Sequence, residues 1–73
     1  MNETMERVGR HEAMRLLRRR ARVSGRELAA ELRINASSLS DYETGKTRLP
    51  WGLGEQDYAR ALEAVVQKRN PRP

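Results

Sequence analysis

Between Ser24 and Glu43 two short apolar-patterned runs are joined by only about three residues, and that spacing leaves the chain few ways to fold. The apolar positions are Leu28, Ala29, Leu32, Ile34, Leu39 and Tyr42. Two helices of this length, so closely joined, bury those side chains together only by crossing steeply. Ser24 with Glu27 three residues on is the reciprocal capping pattern that opens a helix, and this one stops near Arg33. Asn35 is the next cap type and opens Ala36 to Glu43, with Leu39 and Tyr42 on its inner side. A small residue, Ala29, sits where the two backbones must approach, and Ile34 plugs the crossing.

Two further helices flank this pair. The first is expected from Thr4, or from after Gly9, to about Arg22, with Val8, Met14, Leu17 and Ala21 on one apolar stripe. Gly45 closes the third helix, and Lys46-Thr47-Arg48-Leu49-Pro50 and Trp51-Gly52-Leu53-Gly54 form a loop, because two glycines after a proline disfavour a helix. Glu55, Gln56 and Asp57 open the fourth helix with negative charge at its positive end. Tyr58, Ala61, Leu62, Val65 and Val66 repeat at three and four, and Lys68-Arg69 suit its other end. No alternating stretch suggests a strand. The reading is all-α: residues 1–8 are expected to fray, 9–69 to form the domain, with 24–43 its central motif, and 70–73 to be a tail.

Composition removes whole classes of function. Seventy-three residues hold one small core. With no cysteine and one histidine, His11, disulfides, zinc sites and a base–nucleophile pair are all excluded, so neither an enzyme nor a cofactor is expected. No apolar run approaches the roughly 18 residues of a membrane span, and Met1-Asn2-Glu3-Thr4 is not a secretion signal, so a cytoplasmic, nucleoid-associated protein is expected. Lys+Arg 15 against Asp+Glu 10 leaves a net charge of +5. Thirteen of those cations are arginine, whose fork grips phosphate through two parallel hydrogen bonds. A genome rich in G and C would raise arginine everywhere. It would not place seven arginines and one acid, Glu12, between Arg7 and Arg22. A run of charge is by itself a solvated face, and it takes meaning only from the structure around it.

The steeply crossed pair has helix-turn-helix geometry. Leu17-Arg18, Val23-Ser24, Glu27-Leu28-Ala29, Leu32, Ile34, Leu39-Ser40, Tyr42-Glu43, Gly45-Lys46 and Pro50, with Ala59-Arg60-Ala61-Leu62 beyond, resemble the lambda Cro and repressor-like (XRE) helix-turn-helix family over about residues 14 to 62. The resemblance implies a small four- to five-helix bundle of the lambda-repressor-like DNA-binding type. Its third helix would enter the major groove of double-stranded DNA, and homodimers would bind palindromes. It also implies that Arg18 pairs with Glu43 as a structural bridge.

Carried over residue by residue, Ala36, Ser37, Ser38, Ser40 and Asp41 face the bases. Serines can bond either base edge, Ala36 can touch a thymine methyl, and Asp41 can accept from cytosine while repelling phosphate. Ser24, Arg26, Arg33, Asn35, Lys46, Thr47 and Arg48 are the phosphate candidates; Arg15, Arg19 and Arg22 could line the same side, although a solvated face explains Arg15 and Arg19 as well. Two positions depart from the family. Gly25 replaces the glutamine that clamps a phosphate, leaving Arg26 or Ser24 to substitute. Arg33 replaces the turn glycine and must take a left-handed or adjusted conformation, at roughly 1–2 kcal/mol.

Trp51 and Leu53 in their glycine-rich loop are expected to tuck beneath the fourth helix and complete the core. Exposed, they would join Val66 or Leu16 in a dimer or partner contact, with the fourth helix as the dimer element. The expected function is a phage- or plasmid-like transcriptional regulator, such as a repressor, that occupies operator DNA. The rival reading is a helix-turn-helix module with little base readout that binds RNA polymerase, a toxin or another regulator.

Overall fold

The structure, a computed structural model, describes residues 9–69. Thr4 as a helix start, Val8 on the apolar stripe, Arg7 in the basic run, the fraying of 1–8 and the tail 70–73 all lie outside the described residues. Within them the order is α1 (Arg10–Arg20), α2 (Gly25–Leu32), α3 (Ala36–Glu43), a 3-10 turn (Pro50–Gly52) and α4 (Glu55–Arg69), with no strand. Val23, Leu28, Ala29, Leu39, Leu49, Tyr58, Ala61 and Val65 form the buried core. Ile34 and Leu32 pack on it at the α2–α3 crossing.

Each of the first three helices stops the same way. Arg22 N–H donates to Arg19 O at 3.0 Å and Val23 N–H to Arg18 O at 3.2 Å; Arg33 and Ile34 do the same to Ala30 and Ala29, at 3.1 and 2.9 Å. Gly45 and Lys46 repeat it on Tyr42 and Asp41, at 3.0 and 2.8 Å. This is the Schellman arrangement, whose pivot residue needs positive φ. The pivots are Arg22 (φ 58), Arg33 (φ 61) and Gly45 (φ 82). The left-handed turn swings the next residue inward, so Val23 enters the core and Ile34 packs against it. α1 therefore ends at Arg20, short of the expected Arg22, because Arg22 is already the pivot.

Gly45 has a second reason to be glycine. A Cβ there would stand 2.8 Å from His11 Nε2, and one at Gly9 (φ 84) 2.9 Å from His11 Cε1. The imidazole thus packs the start of α1 against the end of α3, and Gly9, without any side-chain cap, begins α1.

Two expectations need correction. Leu17 is 44% exposed, although it fits an apolar stripe. The inner positions of α1 are Met14, Arg18 and Ala21, at i, i+4 and i+7, and Arg18 takes the place that would have gone to Leu17. Leu49 lies in the loop as expected, and its side chain, 4% exposed, belongs to the core. Trp51 is 83% exposed and completes no core, whereas Leu53 packs against it. The physical cause is local. Leu53 N–H donates to Pro50 O at 3.1 Å, closing a turn with Trp51 (φ 62) and Gly52 (φ 70) at its centre. Positive φ at both central residues is the type I′ form, and here it sends Leu53 inward and the indole into solvent.

The second helix opens as expected: Ser24 N–H donates to Glu27 Oε1 at 3.0 Å and Glu27 N–H to Ser24 Oγ at 3.1 Å. Arg69 donates to both Glu27 and the Arg22 carbonyl, while Lys68 meets Glu31 at 2.6 Å, so the end of α4 is tied to α2 and to the α1–α2 corner. Arg10 and Glu55, 3.3 Å apart, link the starts of α1 and α4.

The Arg22 pivot generates a prediction. Its side chain is exposed and has no recorded partner among the described residues, so its left-handed backbone, at roughly 1–2 kcal/mol, is uncompensated by the side chain. Arg22→Gly is expected to stabilise the fold by about 1 kcal/mol, raising the melting temperature by about 4–8 °C for a domain of this size. Thermal unfolding followed by circular dichroism measures it, and an unchanged or lower midpoint refutes it.

Candidate nucleic-acid interface

One buried network holds α3 in place. Arg18 Nε donates to Glu43 Oε2 at 2.8 Å and Nη2 to Oε1 at 2.9 Å, a bidentate pair between α1 and α3. Arg18 Nη1 also donates to the Val23 carbonyl at 2.8 Å. From α4, Tyr58 Oη donates to Glu43 Oε2 at 2.6 Å. Burial alone would push the Glu43 carboxyl up; the hydrogen bonds of Arg18 and Tyr58, with the Arg18 charge, outweigh it and hold the group below the ordinary carboxylate range. The Glu43 bond raises Arg18 against the opposing effect of burial. Burial, then the Glu43 contact, pushes the Tyr58 phenol well up. Tyr42 stacks obliquely on Tyr58, centroids 5.8 Å apart. Among the described residues no buried side-chain polar atom lacks a partner.

With Leu39 and Glu43 turned inward at i and i+4, the outer face of α3 follows. Ala36, Ser37, Ser40 and Thr44 are exposed; Ser38 and Asp41 are half-buried on its flank. Thr44 Oγ1 donates back to the Ser40 carbonyl at 3.0 Å, so it closes the helix rather than reaching outward. Asn35 holds the N-cap position but makes no side-chain capping bond, which leaves its exposed amide available.

Cations border this face. Arg15 lines a shallow depression with Gly25, Ala36 and Ser40. On the other flank Arg33, Asn35 and Ser38 line a second one with Pro50 and Trp51. Lys46, Thr47 and Arg48 are exposed on the segment leaving α3, and Arg26 is exposed on α2. Ser24 Oγ already accepts from Glu27, but its hydroxyl proton remains to be donated. Arg15 and Trp51 are the residues that sequence reasoning underrated here. Arg15 could have been found, since it stands three residues before Arg18 and so on the adjoining face of α1.

Trp51, Leu53 and Val66 do not form one patch. Trp51 borders α3, Leu53 lines a recess with Leu32 and Ala61, and Val66 lines a groove between α1 and α4 with Met14, Leu17, Tyr58 and Leu62. The single contact surface expected of the three is therefore divided among separate faces. No group of three or more metal-ligating side chains occurs among the described residues, and no helix there is long and apolar enough to cross a membrane.

A family model described as a helix-turn-helix domain matches residues 12–69. That span contains α2, α3, the Arg18–Glu43–Tyr58 network and both bordering depressions. No curated protein and no solved structure matches the chain.

The buried network sets an acid limit on the fold. A carboxyl whose folded value lies below its ordinary 4.5 contributes stability that is fully present above that value and lost as pH falls through the lower, folded one. Unfolding free energy should therefore decline as pH drops below about 4.5, and Glu43→Gln should make that decline shallower, the Glu27 carboxyl, lowered by the Ser24 N–H and Arg69, supplying another part. Glu43→Ala strands Arg18 and Tyr58 and should cost about 3–5 kcal/mol. Urea unfolding at stepped pH reads both. An acid limb as steep in Glu43→Gln as in wild type would show that other carboxyls set it, and a Glu43→Ala chain melting like wild type would contradict the structural role.

Proposed function

The chain belongs to the helix-turn-helix domain family, and from that membership we propose a sequence-specific, double-stranded DNA-binding transcriptional regulator that lays α3 in the major groove. Family and small all-helical fold together point to a protein that binds DNA and is not an enzyme. One observation carries the finer reading: the outer face of α3 is open to solvent, small and polar, and bordered by exposed cations, of which Arg33, Lys46 and Arg48 have no acidic partner among the described residues and Arg15 stands beside the buried Glu43. A groove-reading helix needs such a shape, with side chains short enough for close approach and positive charge at the phosphate rails.

Ala36, Ser37 and Ser40 would meet base edges, with Ser38 and Asp41 at the margin of the contact. Short hydroxyl side chains discriminate bases weakly, so the bordering cations carry most of the affinity and α3 supplies register. Gly25 has open space above its Cα, and Arg15 beside it would supply the phosphate contact that the family's glutamine makes elsewhere. Operation as a phage- or plasmid-like repressor at the nucleoid fits this chemistry.

A homodimer fits the groove between α1 and α4. Its walls are Met14, Leu17, Tyr58, Leu62 and Val66, with Arg20 on one rim and Glu63 on the other. Opposite charges on opposite rims complement a second copy related by a two-fold axis, which would set two α3 helices about 34 Å apart on DNA.

Two measurements test this. Binding to a labelled duplex across a salt series should give log K falling against log salt with a slope of about −0.9 for each phosphate contacted, and Arg15→Ala should make the slope shallower by about one. Absence of binding to any duplex at low salt ends the proposal; an unchanged slope removes Arg15 from it. In sedimentation velocity the wild-type chain should dimerise, whereas Leu17→Glu should remain a folded monomer. Wild type sedimenting as a monomer at every concentration rejects the dimer.

A further inference from the structure

Trp51 is the largest exposed apolar side chain among the described residues, at 83% exposure, and it stands on a backbone that tryptophan seldom adopts, φ 62 and ψ 22. The type I′ turn favours glycine, asparagine or aspartate at that position. The ring offers no compensation through packing, because almost all of it is in solvent. Folding alone therefore gives no reason for an indole here.

Position supplies one. The depression beside the indole is lined by Arg33, Ile34, Asn35, Ser38 and Pro50. Two of these, Asn35 and Ser38, belong to the start of α3, and Arg33 is a cation with no recorded ion pair among the described residues. Among the described residues no carboxylate lines this depression. Lys46 and Arg48 are exposed on the segment that leads from α3 to Trp51. An apolar protein partner seated on the indole would have to bury these cations without opposite charge, which is costly. The edge of a duplex suits both parts of the site. Phosphate oxygens meet the cations, the deoxyribose ring gives the indole an apolar face, and Nε1–H can donate to a phosphate oxygen.

We propose that Trp51 is a DNA-binding residue, an indole that packs on the sugar–phosphate strand flanking the groove occupied by α3. The inference rests on the DNA-binding reading above and adds to it an uncharged, sequence-independent contact. The strained turn aims the ring at that strand: glycine at 51 would relax the backbone and forfeit the contact.

Trp51 is the chain's single tryptophan, so its fluorescence reports on this site alone. The probe is a random-sequence duplex at low salt, since a backbone contact does not require the operator. On saturation with this duplex the wild-type indole should become protected from acrylamide quenching. Trp51→Gly should melt at or above the wild-type temperature, bind the duplex about tenfold more weakly, and keep the wild-type salt slope, because the ring carries no charge. Wild type binding the duplex with its indole as quenchable as before, or Trp51→Gly binding as tightly as wild type, overturns this inference and leaves the DNA-binding reading standing. Protection that appears on raising protein concentration without DNA assigns the indole to self-association and overturns it too. Wild type failing to bind the duplex at all brings down both.

Discussion

A single carboxylate is the joint on which three helices meet. Glu43 lies at the end of α3, accepts two hydrogen bonds from Arg18 of α1 and one from Tyr58 of α4, and is 5% exposed. Taking a carboxylate and a guanidinium out of water is expensive, and only full satisfaction makes it tolerable. Here the bidentate fork, the phenol and the Val23 carbonyl satisfy the pair, and no buried side-chain donor or acceptor is idle among the described residues. A leucine pair could fill the same space with no desolvation cost. What it would not provide is direction, because apolar contacts tolerate sliding and rotation whereas a bidentate pair does not. With Glu43 fixed, Ser40 and Ala36, three and seven residues before it, are fixed on the adjoining face, so the network sets the azimuth of α3 as much as it stabilises the fold.

The same joint explains which parts of the fold could be read from the sequence. Capping residues and short-range spacing act within one turn of helix, so Ser24–Glu27, the extent of α3 and the acidic start of α4 were legible from local rules. The Arg18–Glu43 pair was legible only through the resemblance, since nothing local says that an arginine twenty-five residues from a glutamate faces inward. Leu17 was misplaced for that reason: hydrophobic periodicity assigns the inner stripe to leucine and is blind to a buried charge in the neighbouring register. The burial of Leu49 went unread, and Trp51 was misread. Both sit in a loop, where no period exists, and their burial depends on a backbone reversal that leucine and tryptophan do not advertise. The outer face of α3 could be read because Leu39 and Tyr42 fix the inner one, and Arg15 beside it follows from its spacing to Arg18 once that pairing is known.

Arginine serves two purposes in this chain, and geometry separates them. Arg18, Arg69 and Arg10 are committed to carboxylates or carbonyls within the protein. Arg15, Arg33 and Arg48 are exposed, near α3 or on the segment that follows it, and none of them makes a salt bridge among the described residues. The pairs of Arg10 and Arg69 tie the α1–α2–α4 side and the Arg18–Glu43 pair anchors α3 from within, while Arg19, Arg20, Arg22 and Arg60 are exposed elsewhere on the surface.

Backbone strain follows a related division. Among the described residues three non-glycine positions have positive φ: Arg22, Arg33 and Trp51. At the first two the strain has a visible return, since each pivot delivers the next residue, Val23 or Ile34, to the core or its edge. The turn at Trp51 also delivers a residue, Leu53, yet asparagine or glycine at 51 would do so with less strain. The excess cost at 51 therefore belongs to the side chain and not to the turn. A side chain that costs stability and stays in solvent has its use outside the isolated fold, and the nearest elements to it are the start of α3 and an unpaired arginine. Relieving strain at 22 and at 51 thus differs in kind: at 22 the fold gains and loses nothing it uses for packing, whereas at 51 the gain comes with the loss of the contact that the strain holds ready.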